Sequence, residues 1–201
     1  IDTSTQAFYA VLDVPTLPAA GLTPAALQEQ RIDSVTTDPG TGQAVRTVTS
    51  NAVDWTSRFG WYLPLIHNGQ AQGERVTRDF VIKNARVLFT TGFIRTDVDD
   101  PCLTQAGGWL MAVSLTRGGM PVKQVLDTNG DRRIDDDDLP AAGLELDIGL
   151  PGDLSVMDRD DPEAQSGCND EIYLVQGSSD VAVVAGQPHC QFNRIMWRQL
   201  Q

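Results

Sequence analysis

Apolar residues return along this chain at strand-like period and length in at least nine places: QAFYAVLD, QAVRTVT, RFGWYLPL, DFVIKN, ARVLFTTGFI, GGWLMAVSL, EIYLVQG, DVAVVAG and RIMWRQL. Runs this short, rich in β-branched and aromatic residues and bounded by turn chemistry, predict strands rather than helices. The punctuation agrees. DPGTG at 38–42, HNGQAQG at 67–73, TRGGMP at 116–121 and GSSD at 177–180 carry the Gly, Pro, Asn and Asp that tight turns demand. The pattern predicts an all-β, antiparallel meander. One helix of about two turns interrupts it, TPAALQEQ, with Thr23 as N-cap and Pro24 at the first helical position.

Strand number limits the architecture. A propeller blade takes about four strands and a closed ring at least four blades, so roughly ten strands make two or three blades. The 201 residues therefore predict one domain over 1–201 that is part of a β-propeller of a longer protein, or an open sheet or sandwich. A start at Ile1 rather than Met fits a processed product or the ordered part of something longer.

Charge narrows the partners. The chain carries 27 Asp and Glu against 15 Lys and Arg, a net charge of -12, and no basic cluster, which argues against nucleic acid. No apolar run approaches the roughly 20 residues of a membrane helix, so no membrane insertion is expected of it. Many of the carboxylates crowd into 127–161.

The sharpest chemistry lies in DTNGDRRIDDDDL, residues 127–139. Set on the twelve-residue calcium loop, Asp127 takes position 1, Asn129 position 3, Asp131 position 5, the Arg133 carbonyl position 7, Asp135 position 9 and Asp138 position 12. A hard cation wants about 6 to 8 oxygens, and alternate residues of a tight loop can aim theirs at one centre. Ile134, at position 8, is the expected apolar anchor. Two positions depart from the pattern. Arg132 stands where Gly is usual because the turn needs positive φ, which implies either a cost of about 1 kcal/mol or relief by a slightly different backbone. Asp138 stands where Glu is usual, so its carboxylate must come closer. The loop follows a strand-like run, MPVKQVL, and soon meets Pro140, which predicts a static structural or regulatory site rather than a paired helix-loop-helix sensor. The alternative, a solvated acidic turn, leaves the joint spacing of the donors unexplained. A second acidic stretch, Asp158 to Asp161, lacks that alternation and is expected to be surface loop.

Catalytic signatures are missing. His67 and His189 lie in polar, turn-like sequence without a nucleophile motif beside them, and neither GxSxG, HExxH nor a phosphate-binding glycine loop occurs. The expectation is a protein that is not an enzyme. Trp55, Trp61, Tyr62, Trp109 and Trp197 lie on apolar runs and are expected in the core. Of the three cysteines, Cys168 and Cys190 bracket two strand-like runs whose midpoint is the turn at Ser179. That places them across the open end of a hairpin at a separation suited to a disulfide, with two buried free thiols as the alternative. Cys102 is left to pair outside this stretch or stay free.

The ordered series TQAFYAVLDV, VDW at 53–55, GWYLPL at 60–65, GERV at 73–76, ARVLFTTGFI, Asp100-Pro101-Cys102, GGWLMAVSL, the calcium loop and a closing MWRQL resembles the C-terminal domain of the PilY/PilC type IV pilus tip-associated proteins. The likeness is weakest over 140–167, and the terminal WRQL suggests that Gln201 is at or near the true C-terminus. The resemblance implies a modified β-propeller at the pilus tip or outer-membrane surface that supports pilus assembly, calcium-regulated extension and retraction, twitching motility and attachment. It implies Ca2+ held by Asp127, Asn129, Asp131, Asp135, Asp138 and the Arg133 carbonyl. Implied partners are minor pilins and other pilus components, and surfaces or host receptors. An RGD tripeptide found in some members is absent. Two other readings share features: a quinoprotein dehydrogenase-like propeller, which needs a calcium in a central pocket beside a cofactor-stacking Trp, and a dockerin-like module, which carries the loop twice.

Overall fold

A computed structural model describes residues 3–14, 21–96, 104–159 and 168–190. In chain order the strands are β1 (Ala7–Val11), β2 (Gln28–Glu29), β3 (Ile32–Thr37), β4 (Ala44–Val48), β5 (Gly60–Pro64), β6 (Ile66–His67), β7 (Gln70–Ala71), β8 (Val81–Lys83), β9 (Arg86–Thr96), β10 (Thr104–Ser114), β11 (Gly143–Leu146), β12 (Pro151–Arg159), β13 (Cys168–Gly177) and β14 (Val181–Cys190). They form a three-stranded sheet β1-β5-β2, a six-stranded sheet β3-β4-β11-β10-β9-β8, a three-stranded sheet β12-β13-β14 and the small hairpin β6-β7. All pairings are antiparallel except β2 with β5.

The six-stranded sheet lies between two cores, and its central strands show why. Side chains alternate across a strand. On β10, Leu110 and Ala112 enter a core shared with Tyr173, Val175 and Val184 of the β12-β13-β14 sheet. Trp109, Met111 and Val113 enter a second core with Phe8, Trp61 and Leu63 of the β1-β5-β2 sheet. β9 repeats the division, with Leu88 on one side and Val87, Phe89 and Phe93 on the other. A strand buried on both faces reads as a continuous apolar run, which is the WLMAV of the sequence.

Local chemistry accounts for the turns. Asn68 and Gly69, at φ 51° and 71°, close the β6-β7 hairpin as an Asn-Gly pair should. Asn84 and Ala85, at 51° and 58°, do the same for β8-β9, the Ala without a glycine's freedom. Gly118, at φ 69°, lies so close beneath Trp61 that a Cβ would stand 2.1 Å from the indole.

Several expectations need correction. TPAALQEQ is not a two-turn helix: only Pro24–Ala26 makes a short 3-10 turn, and Thr23 gives no side-chain cap. Leu27 and Gln30 are buried, and β2 lays Gln28 and Glu29 alongside β5. MPVKQVL is not a strand; only Leu126 bridges, to Gly186 of β14. Asp158 and Arg159 belong to β12 rather than to a loop, Asp158 paired with Lys83 and Arg159 with Asp170. Trp61 and Trp109 are core residues as expected, but Trp55 is exposed. Trp197, Cys102, Asp160, Asp161 and the run RIMWRQL lie outside the described residues, as do the side chains of His189, Cys168 and Cys190.

Candidate metal centre

The loop at 127–138 is tied at its base. The Gln124 side-chain amide donates to the carbonyls of Leu126 (2.8 Å) and Leu139 (2.7 Å), clamping the entry to the exit. The Leu126 bridge to Gly186 and the bond from the Asp127 amide to the Ala185 carbonyl (3.1 Å) fix the start of the loop to β14.

Every side chain predicted as a ligand turns back onto loop backbone. The Asp127 carboxylate accepts from the amides of Gly130 (2.6 Å) and Arg132 (2.8 Å). Asn129 Oδ1 accepts from Asp131, Asp131 Oδ1 from Arg133, and Asp135 Oδ1 from Asp137. Asp138 closes the circuit, accepting from the amides of Thr128 (2.6 Å) and Asp135 (3.0 Å) and from the Thr128 hydroxyl (3.1 Å), while that hydroxyl accepts from the Leu139 amide (2.7 Å). These bonds hold the chain in a tight bend. Gly130 and Arg132 both take the left-handed conformation, at φ 79° and 70°. The strain foreseen at Arg132 is therefore present.

The acids of the bend have no ion-pair partner among the described residues. Asp127 and Asp138 are 6% and 8% exposed, and among the described residues no Lys or Arg forms an ion pair with any acid of the loop. Burial pushes the Asp127 carboxyl above its ordinary value against the pull of the Arg132 and Gly130 amides, and the neighbouring Asp138 and Asp131 charges add to the rise. A buried carboxylate without a basic partner is stabilised by a cation. The donors are all oxygens, the set a hard divalent ion prefers. An ionised carboxylate offers about four lone-pair sites, so the amide bonds leave acceptor capacity over. No three His, Cys, Asp or Glu among the described residues stand together as a metal cluster. The side chains must therefore draw inward to hold an ion. Ile134, the expected anchor, is half-buried and lines a cavity with Ala185 and Gly186.

Thr128, Gln124 and Gly186 were not anticipated. The loop pattern is silent on position 2 and on everything outside the twelve residues, so only the fold reveals these contacts. His67 is half-buried in the β6-β7 hairpin and lines a different cavity with Arg46, Glu74 and Trp109.

No protein-family model matches the chain. Along 102 residues it is 32% identical to the "Type IV pilus biogenesis factor PilY1 homolog" of Xylella fastidiosa strain Temecula1, a match over 50% of this chain and 7% of that protein. The crystal structure of the Pseudomonas aeruginosa PilY1 C-terminal domain superimposes with a TM-score of 0.68 over 92% of this chain and 38% of that one, at 23% identity. The chain has the fold of a PilY1 C-terminal domain. The expected all-β, antiparallel, propeller-type architecture is borne out by that likeness and by the near absence of helix among the described residues. Within this PilY1-type fold the acidic loop links the six-stranded sheet to β14, because it joins β10 to β11 and its base pairs with Gly186.

Proposed function

We propose that this chain is a calcium-binding, non-enzymatic domain of a type IV pilus biogenesis and adhesion factor, working at the pilus tip or outer bacterial surface. In this reading Asp127, Asn129, Asp131, Asp135, Asp138 and the Arg133 carbonyl hold one Ca2+, which supplies the positive charge that no described Lys or Arg brings to the buried acids. Minor pilins and other pilus components are the expected partners, with surfaces or host receptors as adhesion targets. A disulfide between Cys168 and Cys190 belongs to the same exported setting. Backbone register supports it, since the two residues stand opposite each other at the end of β13-β14.

The observation that carries the reading is the left-handed Arg132 with its amide on Asp127: an unfavourable conformation at the one loop position where calcium coordination asks for it. Likeness to a protein named as a pilus biogenesis factor supports the cellular role. In a piliated strain encoding this chain, Asp131→Asn introduced at the native locus should leave the protein exported while changing surface pili and twitching-zone diameter. Unchanged piliation and twitching, with the variant shown to have lost calcium, would refute the calcium-regulated role.

A further inference from the structure

We infer that the Cys168–Cys190 pair and the calcium loop act on each other through β14, so that oxidation of the cysteines tightens calcium binding and bound calcium protects the disulfide from reduction. The inference rests on the calcium reading above. It comes from the way β14 is held on both edges. On one edge β14 pairs with β13, a ladder that ends with Cys168 opposite Cys190. On the other edge Leu126 bridges Gly186, and the Asp127 amide bonds the Ala185 carbonyl at 3.1 Å. Asp127 is also the first oxygen donor of the loop. Four residues of extended chain, about 13 Å, separate Gly186 from Cys190.

The ladder is weakest between these two points. A bulge falls between Asn169 and Glu171, just inside the cysteine pair, and leaves that end of the hairpin with interrupted pairing. A covalent closure beyond the bulge restrains the stretch that the backbone bonds hold least. Below it the fit is close. A Cβ on Gly186 would stand 2.3 Å from the Tyr173 ring. The Tyr173 hydroxyl donates to Glu171 (2.8 Å), and the fully buried Glu171 pairs with Arg86 (2.7 Å). Loosening the cysteine end therefore shifts Gly186 against a packed ring, and with it the carbonyl that positions Asp127.

Closing the pair breaks two S–H bonds and forms one S–S bond. Two electrons and two protons pass to an external disulfide, which leaves as two thiols. Linkage makes the effect reciprocal: whatever factor oxidation adds to calcium affinity, calcium adds to the oxidation equilibrium.

The test is calorimetric titration of the intact protein with calcium, oxidised and reduced, beside a Cys168→Ser/Cys190→Ser variant, with free thiols counted by mass. Reduction should weaken calcium binding by about fivefold or more, and calcium should shift the midpoint of a glutathione redox series of the unaltered protein by the same factor. Gly186→Ala should weaken calcium binding with the disulfide intact. Equal affinities in both redox states overturn the coupling and leave the calcium reading standing. Free thiols at 168 and 190 in the oxidised protein overturn it as well, and no calcium binding in either state overturns both readings.

Discussion

Excess chelator should lower the melting temperature of this protein by about 5–10 °C relative to the calcium-saturated form. The size follows from linkage. An ion that binds only the folded chain stabilises it by about 2.7 kcal/mol at a hundredfold excess over its Kd, and for a domain of this length each kcal/mol moves the transition by about 2–4 °C. The direction follows from the site. Asp127 and Asp138 are buried with no basic partner among the described residues, and Arg132 is held at positive φ. Removing the ion leaves this repulsion and strain in place and takes away what balances them. Magnesium, which needs a smaller, stricter octahedron, should restore less of the lost stability than calcium. Overlapping melting curves with and without chelator would contradict the account.

Glu74→Ala should cost about 3–5 kcal/mol, the usual penalty for stranding one member of a buried ion pair. Arg46 reaches Glu74 through two bonds of 2.6 and 2.7 Å, and both side chains are buried. The guanidinium lies 3.7 Å from the centre of the Trp109 ring, and the Thr91 hydroxyl donates to the same carboxylate at 2.5 Å. Without Glu74 the indole face is what compensates the cation among the described residues. Arg46→Met combined with Glu74→Leu removes both charges and should recover most of the loss. Urea midpoints measure both variants. A Glu74→Ala midpoint within experimental error of the unaltered protein would show that Arg46 finds other compensation.

The parts of this fold that could be read from sequence are those whose local pattern and tertiary surroundings agree. GGWLMAVSL and ARVLFTTGFI announce strands, and they form the middle of the six-stranded sheet, covered on both faces. TPAALQEQ misleads because its capping signals are helical, whereas its Leu27 and Gln30 are claimed by the core. Gln30 is fully buried and bonds the carbonyls of Asn51 and Arg117, contacts that a short surface helix could not offer. β11 and β12 escape notice for the opposite reason. GLEL is very short, and PGDLSVMDR mixes Asp, Ser and Gly into a strand whose alternate residues face solvent.

In the candidate site, donor spacing and the conflict at Arg132 are both legible, since each depends on the twelve residues alone. The Gln124 clamp, the Thr128–Asp138 closure and the seat on β14 are not, because they depend on how distant strands meet. Arg46 and Glu74 are hidden in the same way: an arginine within QAVRTVT looks like an exposed strand residue until Glu74 is brought beside it.

The most direct measurement is the calcium content of the purified, exhaustively dialysed protein by inductively coupled plasma mass spectrometry. One calcium per chain is expected, lost in Asp127→Asn and Asp138→Asn variants that keep their β-sheet circular dichroism. A folded protein with no bound calcium, or one whose calcium survives both substitutions, would contradict it.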